Sequence, residues 1–390
     1  MDEPIRIFVL GAGRMGSIVA KDLRQRNDVE VGVGDIDRDR AEAIAKQKEG
    51  DRAFVVDVTD TEKLSHILSG YDAVVNASWY EYNLLVMRAC LKAKCSYNDL
   101  GGLFHMTQQQ LRLDEEARSQ GIAGIVGGGE SPGITNVMCR LAAEEMSSVD
   151  YAKILVGARE IPETKGVTFP FSVSTVIDEY TKNPVEYING KFVEVSPLSG
   201  DEEVIFPDPV GKNVCHYSIH SEPATIPSSL GRGIKNVEFK LGISEKMVRM
   251  LTPLIETGMT AEEPKVQING ASISPKQFLV SFFNSRSGNG ESSERTVALR
   301  TVVGGTINGE KMIATCELIS GPNESWGITN ATAYLTGVAG SIFGQLLADG
   351  KVKTGVAPPE LAVEPNIFVA ELGKRGIKIK KSVFHDTTGK

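Results

Sequence analysis

No stretch of the 390-residue chain comes near the roughly 18 consecutive apolar residues of a membrane-spanning helix, so none is expected. There is no Cys-x-x-Cys pair. The five cysteines, Cys90, Cys95, Cys139, Cys215 and Cys316, are scattered and odd in number, which argues against a disulfide framework and a structural zinc site. Buried thiols are expected, and no metal. Nor is there a basic run: 42 Lys and Arg stand against 50 Asp and Glu, a net charge of −8, so nucleic acid is not an expected partner. The first apolar run, Ile5 to Leu10, is too short for a secretory signal and is used as a strand, which makes the cytoplasm the expected location. No repeat or low-complexity segment is visible. The length exceeds one ordinary core and implies about two domains.

What is there begins at once. Ile5 to Leu10 reads as a buried strand that runs into Gly11-Ala12-Gly13-Arg14-Met15-Gly16, a Gly-x-Gly-x-x-Gly turn opening a helix. Gly11 permits the tight turn, Gly13 lets the backbone approach a pyrophosphate, and Gly16 lets the helix pack close to the strand. Arg14 and Met15 stand at the start of that helix, whose free N–H groups and positive dipole end point at the phosphates. A second apolar run, Val29 to Gly34, ends in Asp35, where this arrangement places an acid that hydrogen-bonds the adenosine ribose. A carboxylate there accepts from the 2′-hydroxyl of NAD and repels the 2′-phosphate of NADP, so NAD is the expected cofactor. Arg38 and Arg40 lie just beyond; they either soften that repulsion, leaving NADP as the alternative, or are solvated charges.

Strand and helix signals then alternate. Six strands, the last at Ile122 to Val126, separated by helices including Thr61 to Leu68, Tyr82 to Ala93 and Thr107 to Gln120, predict an α/β fold. It is an N-terminal Rossmann domain, a doubly wound parallel sheet over 1–127. Its site lies beyond the carboxyl ends of the strands. Asp57 and Val58 are therefore expected beside the adenine, Asn76 and Ala77 beside the linking phosphates and nicotinamide ribose, and Asp99 near the reacting end. Each Asp or Asn could equally be a cap or turn residue.

Gly127 to Gly133 breaks the pattern and reads as the way out of the first domain. Beyond it, Asn189-Gly190, Asn269-Gly270 and Asn308-Gly309 separate β-rich runs, the strongest short hairpin signal. The region 128–328 is thus a mixed α+β domain with an antiparallel sheet, expected to bind substrate and to dimerise. Residues 329–390 read as a helical tail returning to the Rossmann domain, with helices at Asn330 to Leu347 and Leu361 to Lys374 parted by Pro358-Pro359.

These residues together resemble the saccharopine dehydrogenase family, which also contains lysine 6-dehydrogenase and carboxynorspermidine dehydrogenase. The similar stretches are the opening turn with Asp35-Ile36-Asp37, Val75-Asn76-Ala77, Tyr97 to Gly102, Gly129 to Asn136, Pro197 to Gly200 with Phe206-Pro207, His220 to Thr225, and Thr336-Gly337 with Gly355 to Glu360. Coverage is nearly end to end. The resemblance implies a nicotinamide-dependent oxidation of an amine carbon to an imine, or the reverse, on a lysine-derived or polyamine-like substrate held between the domains. One departure is Ser131: glutamate-forming saccharopine reductases carry Asp just before Pro-Gly, so the chain is most similar here to lysine 6-dehydrogenase-like members. The alternatives are a carboxynorspermidine-type reductive condensation and a catalytically silent NAD-binding sensor. A homodimer is expected.

Amine oxidation needs a group that takes the proton from the substrate ammonium. His105, in the loop after the fifth strand, is a histidine with a suitable ordinary pKa; it either serves as this group or packs beside Leu103, Phe104 and Met106. His220 and Glu222, two apart on an extended run, share one face and either relay a proton or are plain surface polarity. Asp99 would hold a substrate ammonium or cap a turn.

Overall fold

The computed structural model describes residues 4–161, 169–286 and 294–387. The chain opens with β1 (Ile5–Leu10), α1 (Arg14–Leu23), β2 (Val29–Asp35), α2 (Arg38–Ala45), β3 (Arg52–Val55), α3 (Thr61–Leu68), β4 (Ala73–Asn76), α4 (Asn83–Ala93) and β5 (Ser96–Asp99). After these come α5 (Leu103–Leu111), α6 (Asp114–Gln120) and β6 (Ala123–Ile125). Periodicity and caps place them well: Asp60, for example, accepts from Lys63 N at 3.1 Å and starts α3 where the sequence marks it. The stretch expected as one helix over 107–120 is two. Its break lets Asp114 accept from Val356 N at 2.8 Å, a bond from the tail that helix periodicity alone does not reveal.

From α7 (Ile134–Ala143) the chain builds its second sheet with β7 (Ser148–Ile161), α8 (Val173–Thr181), β8 (Val185–Ile188), β9 (Lys191–Glu194), β10 (Glu202–Ile205) and β11 (Lys212–Tyr217). α9 (Glu222–Leu230) and β12 (Asn236–Gly242) follow, then an excursion made of α10 (Glu245–Glu256), β13 (Val266–Ile268), β14 (Ala271–Ile273) and α11 (Pro275–Arg286). The long hairpin β15 (Glu294–Ile307) and β16 (Glu310–Ser320) leads to α12 (Ala331–Ala348), β17 (Gly355–Ala357), α13 (Pro359–Ala362), α14 (Pro365–Lys374) and β18 (Lys380–His385).

The first sheet runs β17-β6-β5-β4-β1-β2-β3, all parallel, and so reverses direction between β1 and β4, where a doubly wound sheet opens its ligand crevice. Its seventh strand comes from the tail. The tail expected to be helical is therefore mixed: β17 joins the Rossmann sheet beside β6, and β18 crosses to pair antiparallel with β16. Three residues of strand, and six more beside a Lys-rich end, are too short to outweigh helical neighbours in a sequence pattern. The second sheet runs β10-β11-β12-β7-β15-β16-β18 with β8 and β9 attached at β12. β12 and β7 are parallel and the other pairs antiparallel, as a mixed sheet requires.

α12 joins the two halves. It is long and apolar enough to cross a bilayer by composition, yet 94% of it is buried against α1, β4, β5 and β15. A helix apolar all round belongs in a core. All five cysteines are buried thiols.

Candidate functional site

At the crevice between β1 and β4, Gly11 has φ +100 and donates to Gly34 O at 2.7 Å; a Cβ there would lie 2.8 Å from the Ala77 carbonyl carbon. That conformation and that approach both require glycine. A Cβ on Gly16 would sit 1.8 Å from Gly11 O, whereas at Gly13 nothing lies within 4 Å. The open space over Gly13, at the start of α1, which has no acidic residue in its first turn, fits a pyrophosphate. Asp35 accepts from Ala12 N at 2.6 Å and Asp37 N at 2.9 Å through different oxygens, which braces its carboxylate at the ribose end and leaves each oxygen a further lone pair. These residues fit a nicotinamide dinucleotide.

Other candidates have side chains engaged within the fold. The Arg14 guanidinium donates across to Pro170 O at 3.0 Å, and Met15 packs against the core, so their side chains brace the turn. Asn76 is buried. It donates to Asn83 Oδ1 at 2.9 Å and accepts from the Ser78 hydroxyl at 2.6 Å, shaping the turn in which Ala77 N bonds Leu10 O. Asp57 is exposed, its carboxyl held below the usual range by the Thr59 hydroxyl and N–H, and Val58 beside it is half-buried.

Asp99 does not face a substrate. It is fully buried, and it accepts from Gly101 N at 2.8 Å, Gly127 N at 3.0 Å and Gln110 Nε2 at 2.7 Å. Burial outweighs these bonds and raises its pKa. Its role is to tie the ends of β5 and β6 together. His105 is not in a loop either: α5 begins at Leu103, and successive helical residues turn by about 100°. Leu103 and Phe104 therefore pack against Val185 and Ile219 while His105 is exposed, edge-on to Phe104.

The turn after β6 is a buried, closed structure rather than a flexible linker. Gly128 N bonds Asp99 O, Gly129 N bonds Pro132 O and Ile134 N bonds Gly129 O. It presents Ser131 to Glu222 of α9 and buries Glu130 near Glu179 and Arg295. Glu222 is not on a strand; it is the first residue of α9, and His220 stands just before it. Glu222 Oε2 and His220 Nδ1 are joined by a very short hydrogen bond. Glu222 Oε1 accepts from Ser131 Oγ and Thr135 Oγ1, each at 2.7 Å. The imidazole lies flat on the Phe239 ring, centroids 3.8 Å apart. No hydrogen bond to His220 Nε2 occurs among the described residues. Because a carboxylate only accepts, the proton sits on Nδ1 and the neutral ring offers Nε2 as its base.

The charges around this pair follow from burial. For His220, burial works downward, but Glu222 and then Glu179 outweigh it and raise the pKa. For Glu222, burial works upward, and His220 with the two hydroxyls holds the carboxyl below its usual range. Glu179 is pushed up to about 7 by burial. Glu130 is pushed up to about 8 by burial, against the pull of Arg295, and its Oε1 has no hydrogen-bond partner. Glu222 and Glu179 act on a buried His with shifted acids on both sides, the pattern that makes this cluster the candidate site. Arg295, which pairs with Glu160 at 3.3 Å, also lines a cavity of about 900 Å³ with Tyr180, His216 and Lys246.

Sequence reasoning passed over Glu130, Glu179 and Arg295. Glu130 stood inside a quoted motif, and an acid among four glycines and a proline was its signal. Glu179 and Arg295 had none. Arg232 caps α7 through Ala143 O and Met146 O.

Comparison with known proteins agrees with this geometry. The family model described as the saccharopine dehydrogenase NADP binding domain matches residues 7–125, and that of the saccharopine dehydrogenase C-terminal domain matches 129–377. The chain is 24% identical to carboxyaminopropylagmatine dehydrogenase of Synechocystis sp., over 95% of this chain and 96% of that one. It is 24% identical to carboxynorspermidine synthase of Vibrio cholerae, over 70% and 71% respectively. Its fold matches that of the apo saccharopine dehydrogenase (L-Glu forming) of Saccharomyces cerevisiae with a TM-score of 0.76 at 18% identity, covering 97% of this chain and all of that one.

Proposed function

We propose that this chain, which belongs to the saccharopine dehydrogenase family and is an NAD(P)-dependent dehydrogenase, makes or breaks the secondary amine that joins a polyamine-like amine to an amino-acid carbon chain. A bound nicotinamide supplies or accepts the hydride at the imine carbon. The observation that carries the reading is the His220–Glu222 pair enclosed with Glu130 and Glu179. In the oxidative direction the substrate enters as an ammonium, and buried carboxylates favour that charge. His220 Nε2 takes the proton from the nitrogen, so that its electron pair can form the C=N bond as the hydride leaves; in the reductive direction His220 returns it. Glu222 orients the ring and stabilises the imidazolium. Glu130 is largely protonated at neutral pH, so the charge that favours the ammonium comes from Glu222 and the ionised fraction of Glu179. Arg295, at the cavity, suits the substrate carboxylate.

The names of the two relatives support a polyamine partner. A lysine 6-dehydrogenase-type oxidation is the second reading, favoured by Ser131, whose hydroxyl serves Glu222 where an Asp would add charge. Absorbance at 340 nm separates them. NADPH or NADH consumption that requires both an amino-acid aldehyde and a diamine or agmatine supports the condensation. NADH formation from lysine alone at about pH 9, with no two-substrate reaction, overturns it. A homodimer through the second sheet, whose outer strands expose Ile205, Val214, Ile319 and Val383, belongs to the same reading. A monomeric mass by light scattering at micromolar concentration would remove it.

A further inference from the structure

Beside the His220 pocket lies a second charged enclosure. Asp178 precedes Glu179 on α8; while Glu179 is turned toward His220, Asp178 accepts from the Tyr80 hydroxyl at 2.8 Å. Both acids are buried. One helical step separates them by about 1.5 Å of rise and 100° of turn, so two anionic sites open in neighbouring directions. The wall opposite Asp178 is aromatic: Trp79 meets Tyr80 and Tyr82 edge-on, centroids 5.9 and 5.7 Å away. These rings follow β4, at the crevice where a dinucleotide fits.

The enclosure already holds two cations: the exposed Lys182 reaches Asp178 at 3.4 Å and donates to the Tyr80 hydroxyl at 3.0 Å, and a second lysine is buried. Lys276, from α11 of the excursion between β12 and β15, places Nζ 2.7 Å from Asp178 and 3.0 Å from Glu262, 6.0 Å from the Trp79 ring centroid. Its side chain is 4% exposed, which is rare for lysine. Both carboxylates flank the ammonium at ion-pair distance, and the buried Trp79 Nε1 nearby has no acceptor. A tethered lysine is steered by its own helix. A free ammonium has three donors and no such constraint, so it can satisfy both carboxylates while facing the ring.

We propose that Trp79, Asp178 and Glu262 form a subsite for the distal primary ammonium of a diamine substrate, and that Lys276 occupies it until that ammonium displaces it. This rests on the amine reading given above and adds to it a preference for substrates with a second cation a few methylenes from the reacting nitrogen. It also gives the excursion a function: substrate binding exchanges an internal ion pair for an equivalent one and returns Lys276 to solvent.

The test reads binding rather than turnover. The chain has two tryptophans, so Trp326→Phe leaves Trp79 as the reporter. In that background 1,4-diaminobutane and butylamine are titrated by fluorescence against Lys276 and Lys276→Met proteins, with NADPH affinity as the folding control. The expected result is diamine binding at least about tenfold tighter in Lys276→Met, worth about 1.4 kcal/mol, and a smaller gain for butylamine, whose single ammonium cannot fill the subsite and the His220 pocket together. Equal or weaker diamine binding, or an equal gain for butylamine, overturns the proposal. If Lys276→Met does not fold, Glu262→Gln replaces it; about tenfold weaker diamine binding supports the subsite, and unchanged binding overturns it. Two-substrate turnover without these shifts overturns the subsite and leaves the reaction standing. The shifts without turnover support the subsite and overturn the reaction.

Discussion

Glu222 turns back on His220 from the first residue of α9, binding Nδ1 with one carboxylate oxygen while Ser131 and Thr135 hold the other. The ring is thereby fixed by residues from both sides of the turn after β6. Glu222→Gln keeps the shape and removes the charge that raises the His220 pKa, leaving burial to lower it. In amine oxidation the ring must be deprotonated, so activity rises with pH through its pKa. The expected outcome is a fall in kcat of about 100-fold, with the ascending limb of the pH profile moved to lower pH. A limb that stays in place would show that another group is the base.

Glu130 offers a stability test in the protein without ligands. Its carboxyl stays protonated in the folded chain up to about pH 8 and ionises near its usual pKa of 4.5 when unfolded. Above 4.5 the unfolded state therefore sheds a proton that the folded state keeps, and stability declines with rising pH until about 8. Glu130→Gln removes that decline. Thermal unfolding should show the variant more stable than the parent by at least about 3 °C at pH 8, with the difference shrinking toward pH 5. A pH-independent difference would mean that Glu130 titrates normally.

The ribose contact expected of Asp35 can be tested through the cofactor ratio. Because Ala12 N and Asp37 N both donate to it, Asp35→Ala would disturb the turn as well as the charge, and Asp35→Asn isolates the charge. NAD affinity should fall, and the ratio of NADP to NAD affinity should rise about tenfold, measured by fluorescence titration of both reduced cofactors. An unchanged ratio would place the discrimination elsewhere, at Arg38 or Arg40.

The parts of this architecture that were legible are those with local causes. Gly11, Gly16 and Asp35 announce themselves because only those residue types suit the turn and the ribose, and Thr61–Leu68 because Asp60 caps it. The candidate base pair was legible as His220 and Glu222, two apart, although its geometry arises from a helix start rather than a strand. Asp99 and His105 misled because strand-end position says which edge a residue is on and not whether neighbours enclose it. Gln110, Gly101 and Gly127 hold the buried Asp99 carboxylate, and those partners meet only in three dimensions. Glu179 and Lys276 were silent for the same reason: an acid on an amphipathic helix and a lysine near a helix start read as solvated charges until tertiary packing buries them.

The tail gives the last test, because beside β17 and α12 it holds the first domain through a buried ion pair. Arg375, just after α14, meets Asp22 of α1 through Nε at 2.8 Å and a terminal nitrogen at 2.7 Å, and Asp22 is fully buried. For Arg375 burial works downward, but Asp22 and Glu371 outweigh it and raise the pKa, so the guanidinium stays charged at any working pH. Arg375→Ala would leave Asp22 with Gln345 Nε2 at 3.5 Å as its remaining side-chain contact. An uncompensated buried carboxylate costs about 3–5 kcal/mol, and Arg375→Lys should recover only part of this because an ammonium cannot make the paired contact. Thermal or urea unfolding should rank parent above Arg375→Lys above Arg375→Ala. Replacing both residues, Asp22→Leu with Arg375→Met, should restore most of the loss, since it removes the stranded charge along with its partner. A double variant no better than Arg375→Ala would show instead that the shape of the pair, not its charge, seats α14 against α1 and α12.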